Sequence, residues 1–246
     1  ASGSYIIQLD GDVTVGKNYL RTIKAFIEKN AGDFIAAPVV ISEHDSFLAR
    51  FQGLDMAGMM ALTKSGIETG HWYMANGANM IYKKDAIRFN PNEMASGDDV
   101  FGVQQVASQK ENKIRFLDDH NAFVFTKSQN SIRSFYNQRI RWATKNKLMK
   151  ARGMQMVMSI PYINSVLIII SFILSLIYSI NILPLVLFHV FIKLIIDYLY
   201  LSELAEYYGI QKSMRYFAIS EIFHILYLSG IGTLSLFVKK YNWKSR

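Results

Sequence analysis

The sequence predicts an α/β domain, then a basic amphipathic helix, then a group of membrane-spanning helices, and three observations carry this. Between Tyr5 and Ile41 an apolar run, a helical repeat and a second apolar run follow one another. Residues 127–152 hold eight Lys or Arg and no Asp or Glu. The 40 residues from Gly153 to Ile192 hold no charged side chain. The boundaries that follow are 1–126 for the α/β part, 127–157 for the basic amphipathic part and 158–246 for the spans with their basic tail.

Composition narrows the class. A chain of 246 residues with 51% hydrophobic residues and a mean hydropathy of +0.14 is too apolar for disorder or for an ordinary soluble domain. With no cysteine it is no disulfide-stapled module. The net charge of +8 would fit a nucleic-acid binder if it were evenly spread, but residues 1–126 carry 12 basic against 15 acidic residues. The excess sits in residues 127–152, directly before the uncharged segment, and a basic block abutting an apolar one reads as a cytoplasmic membrane anchor. No nucleic-acid partner is expected. The opening Ala1-Ser2-Gly3-Ser4 runs straight into an apolar strand, so a missing N-terminal part is expected.

Taken in order, Tyr5 to Leu9 is a β-rich run that delivers Asp10-Gly11-Asp12 to its C-terminal tip. Lys17 to Asn30 repeats apolar residues at helical spacing, and Phe34 to Ile41 is a second strand, so the three form a βαβ unit with partly parallel pairing. A Met-rich helix over Ser46 to Leu62 and a turn at Asn76-Gly77-Ala78-Asn79 feeding a strand to Tyr82 come next. Ser96-Gly97-Asp98-Asp99 precedes a helix over Val100 to Lys110, with the acids at the end the helix dipole favours. Ile114 to Leu117 and Ala122 to Phe125 are short strands, and Ser131 to Arg152 is one basic helix or two. Spans are expected over Ser159–Ile180 and Leu183–Leu201, with a third apolar stretch over Tyr216–Val238.

Three constellations carry candidate chemistry, each with a plainer alternative. Asp10 and Asp12 offer hard carboxylate oxygens suited to Mg²⁺ or Mn²⁺ holding a diphosphate, and the same tripeptide is also an ordinary turn. Asp98-Asp99 supplies either a helix cap or a general base. Gln138, Arg141 and Trp142, at i, i+3 and i+4, put an amide, a guanidinium and an indole on one helical face. That face suits a sugar phosphate, or equally a membrane-surface helix with Arg133, Arg139, Lys145, Lys147 and Lys150 on headgroups.

In this order the motifs resemble the membrane-embedded family 2 glycosyltransferases, the group with cellulose, chitin and hyaluronan synthases. Asp10-Gly11-Asp12 stands for Asp-x-Asp, Gly97-Asp98-Asp99 for Thr/Gly-Glu-Asp, and Gln138-Arg139-Ile140-Arg141-Trp142 for Gln-x-x-Arg-Trp. The Asn76–Asn79 turn and the Trp243-Lys244-x-Arg246 tail also resemble bacterial relatives. The resemblance implies a Rossmann-like GT-A fold, here a partial catalytic domain whose nucleotide-base-binding first half lies before Ala1, so this piece alone is expected not to turn over. It implies that Asp12, with Asp10, holds a divalent metal on a nucleoside diphosphate sugar such as a UDP-sugar. Asp99 is then the base, Asp98 replaces the usual Glu beside it, and Gln138, Arg141 and Trp142 line the donor pyrophosphate and acceptor side. A glycan or lipid acceptor, inversion at the anomeric carbon and a bacterial-type inner membrane with a cytoplasmic catalytic domain complete the expectation. The rivals are a catalytically silent assembly subunit and transfer of a single sugar to a lipid.

Two further features stay open in the sequence. Lys193 and Asp197 share a face within a span, as the polar wall of a sugar conduit or as an ion pair near a helix end with Lys snorkelling, and Glu221 with His224 pose the same question. Three full spans would also put Lys239, Lys240, Lys244 and Arg246 on the side opposite the basic block, against the positive-inside rule. Either one apolar stretch is interfacial or the tail is an exception.

Overall fold

The computed structural model describes residues 3–42, 45–87, 98–109, 111, 113–148 and 152–237, with the side chains of 98 and 145–148 outside that description. Ser96, Gly97, Lys150 and the tail from Val238 to Arg246 therefore lie outside the described residues, as do the side chains of Asp98, Lys145 and Lys147. The chain forms two compact units, one of residues 1–43 and 55–128, the other of residues 44–54 and 129–246.

The first unit is built on strands β1 (Tyr5–Gln8), β2 (Thr14–Val15), β3 (Phe34–Ala36), β4 (Val39–Ile41), β5 (Met80–Lys83), β6 (Ile114–Phe116) and β7 (Val124–Thr126). Its helices are α1 (Tyr19–Asn30), α3 (Asp98–Ala107) and the C-terminal part of α2 (Phe47–Thr69). The main sheet has the order β1-β5-β3-β6, with β5 antiparallel to both β1 and β3 and β6 parallel to β3. The expected strand, helix and strand are present, but β5 is inserted between β1 and β3. A smaller sheet, β2-β7-β4, pairs β7 antiparallel to β2 and parallel to β4.

The period-two alternation of the strands divides the main sheet's side chains between two cores. Phe34, Ala36, Met80, Tyr82, Ile114 and Phe116 pack with Ile67 of α2 and Val103 and Val106 of α3. Ile35, Ile81 and Leu117 point the other way and pack with Tyr19 and Ile23 of α1. Helices therefore cover both faces, which explains why these strands read as continuous apolar runs.

The single strand expected over Phe34 to Ile41 is two strands in two sheets. Pro38 lacks an N–H and cannot continue the ladder, and its carbonyl instead accepts the Val124 N–H at 3.1 Å and the Asn79 Nδ2 at 2.8 Å. Asn79 is fully buried and is satisfied three times. Its Nδ2 also donates to the Ala122 carbonyl at 2.9 Å, and its Oδ1 accepts the Tyr19 hydroxyl at 2.8 Å. Burial pushes the Tyr19 hydroxyl up to about 12, so it remains a donor across the physiological range.

The edge where β3, β5 and β6 begin or end is held by Asp33. Its Oδ2 accepts the Lys113 N–H at 2.7 Å and its Oδ1 meets Lys83 Nζ at 2.6 Å. Burial alone would raise its carboxyl, but the Lys83 ammonium and the Lys113 N–H together hold it below the usual carboxylate range.

The second unit contains the first turns of α2, then α4 (Ile132–Leu148), α5 (Arg152–Ile177), α6 (Leu183–Tyr207) and α7 (Phe217–Phe237). The last three, with short 3₁₀ turns leading into α6 and α7, are each long and apolar enough to cross a membrane. Four of their serine hydroxyls are satisfied within their own helix. Ser159, Ser165, Ser175 and Ser235 each bond a carbonyl three or four residues back, at 2.7 to 2.8 Å. A core of the aromatic Phe51, Phe135, Phe223 and Tyr227 with Ile231 joins α2, α4 and α7.

Asn79→Ala is expected to lower the stability of the first unit by roughly 3 kcal/mol or more, since three buried partners lose their bonds together. Asn79→Asp should fail in the same way, because a carboxylate cannot donate to two carbonyls; thermal unfolding in detergent measures both. For Asp33→Asn the loss is expected at neutral pH and should begin to fade as pH falls below about 4. A carboxyl with a depressed folded pKa stabilises above its unfolded value and loses that contribution as pH falls through the folded one. Melting temperatures of variant and parent across pH 3 to 7 test this.

Candidate functional site

In the first unit the C-terminal tip of β1 carries Gln8, followed by Asp10-Gly11-Asp12 in an exposed turn, with the Val13 N–H reaching the Asp10 carbonyl at 3.5 Å. Both acids are exposed on a short loop between β1 and β2. β2, a two-residue strand with no sequence signal of its own, anchors the far side of that loop by pairing Thr14 and Val15 with Phe125 and Val124.

A second loop, residues 76–79, precedes β5. The Ala78 N–H donates to Asn76 Oδ1 at 3.0 Å and the Asn79 N–H to the Asn76 carbonyl at 2.9 Å, which makes a tight turn stabilised by an Asx side chain. The turn leaves the Gly77 N–H pointing outward, and it donates to Asp99 Oδ2 at 3.3 Å. A β-carbon at position 77 would lie 3.4 Å from the Asp99 Cβ and 3.7 Å from Gln8 Nε2, so Gly77 is the common neighbour of Gln8 and Asp99. The Tyr82 hydroxyl donates to Gln8 Oε1 at 3.4 Å.

Asp99 is half-buried in the first turn of α3, where its Oδ1 accepts the Val100 N–H at 2.8 Å. Helix α3 starts at Asp98, two residues before the sequence placed it. Two features dock it: Gln104 Nε2 donates to the Tyr73 carbonyl at 2.7 Å, and Gly102 leaves room for Ile87. Among the described residues, each carboxylate oxygen of Asp99 thus holds one backbone N–H, a geometry that suits a positioned proton acceptor. Asp98 belongs to the same turn, and its side chain lies outside the described residues.

The structure therefore joins Asp99 to the β1 end through Gly77 and Gln8, a link that the sequence did not reveal. Gly77 had a signal, being a glycine inside an Asn-Gly turn; Gln8 had none. Asp10 and Asp12 offer two carboxylates. Among the described residues no group of three or more His, Cys, Asp or Glu could hold a metal ion by itself. Two exposed carboxylates fit a Mg²⁺-type ion that takes its remaining ligands from water and phosphate.

Gln138, Arg141 and Trp142 lie in the second unit, all half-buried on α4. Arg139 between them is not a headgroup contact, as the membrane-surface alternative had it, but is buried at 4% exposure. Its guanidinium lies over the Trp142 ring at 4.2 Å and the Phe135 ring at 5.0 Å. One face of Trp142 is therefore already taken, and a sugar ring could stack only on the other. The i−4, i, i+3 spacing of Phe135, Arg139 and Trp142 was present in the sequence, but the charge of Arg139 masked it.

Lys193 pairs with both Asp197 and Glu221, so the ion pair proposed from i, i+4 spacing is a triad linking α6 to α7. It sits in the middle third of α6 rather than near a helix end, which rules out the snorkelling alternative.

Arg139→Ala is expected to destabilise the second unit by about 2 kcal/mol, the scale of a desolvated cation–π contact, and to red-shift Trp142 emission. Arg139→Lys keeps the charge without the planar stack and should recover only part of the loss. Differential unfolding and fluorescence in detergent, with Trp72 and Trp243 replaced by Phe, provide the readouts.

Comparison with known protein families finds that the family described as glycosyl transferase family group 2 matches residues 5–201. No curated protein matches the chain.

Proposed function

Because the chain belongs to glycosyl transferase family group 2, we propose that its transfer is inverting and metal-assisted and that Asp99 is the base. As in that family generally, a nucleotide sugar is the donor and a second molecule the acceptor. The donor is a UDP-sugar and the acceptor a glycan or lipid-linked molecule at a membrane, in a GT-A-type site, with polysaccharide extension as the outcome. The observation that carries it is the clamp on Asp99, whose two oxygens accept the Gly77 and Val100 N–H groups.

Those bonds fix the carboxylate plane for an acceptor hydroxyl. Asp99 takes the hydroxyl proton as the acceptor oxygen attacks the anomeric carbon from the face opposite the diphosphate. The C–O bond to the acceptor forms while the bond to the diphosphate breaks, so the configuration inverts. Asp12, with Asp10, would hold a Mg²⁺ or Mn²⁺, which supplies charge stabilisation to the leaving diphosphate. One protein carboxylate then suffices for proton transfer, unlike the two-acid arrangement of inverting glycoside hydrolases. Arg141 would pair with phosphate oxygens, Gln138 with hydroxyls, and Trp142 would offer its open face to a sugar.

Asp99→Asn is nearly isosteric and keeps an acceptor oxygen for one of the two N–H groups, but it cannot take a proton. It is expected to lower turnover by about 10² to 10⁴-fold with little change in donor binding. Nucleoside diphosphate release from a panel of sugar nucleotides, measured on the full-length protein in membranes with Mn²⁺, Mg²⁺ or EDTA, tests this. EDTA should abolish release and added metal restore it. Equal background release in the parent and variant, from a folded and inserted sample with acceptor supplied, would favour the silent-subunit rival.

A further inference from the structure

Gln8 stands where packing alone calls for an apolar side chain. On β1, Tyr5 and Ile7 pack on the side of α1, whereas Ile6 packs on the other side of the sheet, with Tyr82 and with Val103 and Val106 of α3. Gln8 is the next residue on that second side, and its strand partner Met80 is fully buried in the same core. The helix that covers this side, α3, begins with Asp98 and Asp99. A half-buried carboxamide therefore sits where the core under α3 opens onto the candidate base.

The two ends of that amide face different surroundings. Oε1 accepts the Tyr82 hydroxyl at 3.4 Å, and the donor end, Nε2, is turned toward the Asn76–Asn79 turn. There Gln8 Nε2 and Asp99 Oδ2 lie at the same 3.7 Å from the place a β-carbon on Gly77 would take. The amide nitrogen and the carboxylate border one small space beside Gly77. Asp10, the first acid of the exposed turn, comes two residues after Gln8, roughly 7 Å along an extended chain. Gln8 thus adjoins both acidic groups of the site, Asp99 across Gly77 and the Asp10–Asp12 turn along the chain.

The geometry of transfer decides what belongs in that space. In an in-line displacement the anomeric carbon sits between the leaving diphosphate oxygen and the attacking hydroxyl. With the diphosphate at the Asp10–Asp12 turn and the hydroxyl at Asp99, the ring of the transferred sugar lies between them, against Gln8. A sugar presents oxygens there, and an amide N–H donates to them. The amide is also neutral, whereas a carboxylate at this position would add to the negative charge of Asp10, Asp12 and Asp99 and repel the diphosphate.

We infer that Gln8 is a specificity-determining residue, whose Nε2 donates a hydrogen bond to one hydroxyl oxygen of the transferred sugar while the Tyr82 hydroxyl holds the other end of the amide. The inference rests on the roles proposed for Asp99 and for Asp10 with Asp12, and adds to them a contact that selects among donor sugars. A site built to hydrogen-bond a sugar oxygen rejects a sugar that lacks it, because the amide then gives up water without gaining a partner.

The test is a coupling measurement read by binding. The full-length protein in detergent is titrated, with Mn²⁺ and no acceptor, with UDP, with a panel of UDP-sugars, and with forms of the tightest-bound UDP-sugar that each lack one ring hydroxyl. Gln8→Met, close to glutamine in length but without the N–H, is expected to weaken binding of the intact donor about tenfold and binding of UDP by less than twofold. One deoxy form should weaken binding to the parent by a similar factor, and the two changes together should cost no more than either alone. Losses that multiply for every deoxy form would overturn the inference, as would an equal loss with UDP. Should Gln8→Met fail to fold, Gln8→Ala carries the same cycle. Asp99 is judged separately by turnover: full nucleoside diphosphate release from Asp99→Asn would remove the base, whereas UDP-sugar binding without coupling to position 8 would remove this inference alone. Absence of binding by every UDP-sugar would overturn both the donor reading and the role of Gln8.

Discussion

The first unit depends on one carboxamide. Asn79 is fully buried and bonds the chain at three places distant in sequence: the hydroxyl of Tyr19 on α1, the carbonyl of Pro38 between β3 and β4, and that of Ala122 just before β7. Each partner is a polar group that the fold itself creates. Pro38 interrupts a strand and leaves a carbonyl facing inward; the 3₁₀ turn before β7 leaves another. A buried amide that can both accept and donate twice satisfies all three, and neither aspartate nor leucine could. The two sheets meet along the chain where these bonds converge.

The turn that ends at Asn79 also orients the candidate site. The Asn76–Asn79 turn has its last residue locked in the interior and its second, Gly77, presented to Asp99 at 3.3 Å. A loop tip is ordinarily mobile, but this one is fixed at the base by buried hydrogen bonds, so the direction of the Gly77 N–H follows from the fold. The glycine matters because the turn must approach both Gln8 and the Asp99 side chain closely. Asp99 in turn sits on a helix docked by Gln104 and by the Ile87 side chain that fills the space beside Gly102. The acid is positioned by elements whose own packing has nothing to do with chemistry.

What the sequence made legible was period and charge. Short apolar runs placed β1, β3 and β5, the helical repeat placed α1, and the uncharged stretch placed α5 and α6. What it hid was long-range partnership. Nothing local says that β5 enters between β1 and β3, since strand order depends on which faces the helices cover. The break at Pro38 was visible as a proline, but Phe34 to Ile41 is so uniformly apolar that period alone could not divide it. In the candidate site the acids at 10, 12 and 99 stood out because carboxylates at strand and helix ends are chemically conspicuous. Gln8, whose role depends on Gly77 being next to it, did not. Lys193 and Asp197 were paired by their spacing, whereas Glu221, on another helix, could be joined to them only by the fold.

Arg139 and Lys193 show two ways in which the second unit tolerates a buried cation, and what each achieves. Arg139 lies against the flat faces of Phe135 and Trp142, which it can do because its charge is spread over a plane and weakly hydrated. Lys193 is a compact charge and needs carboxylates, taking one from its own helix and one from α7. Ion pairs of this kind return little net stability, because desolvation offsets most of the attraction. Their effect is on register. If α7 slid by one turn along α6, Glu221 would move by about 5 Å and leave a charge unpaired in an apolar setting. The surrounding Leu and Ile side chains are nearly interchangeable as packing surfaces and could accept several alignments. The triad accepts one, and α7 takes its register along α6 from it.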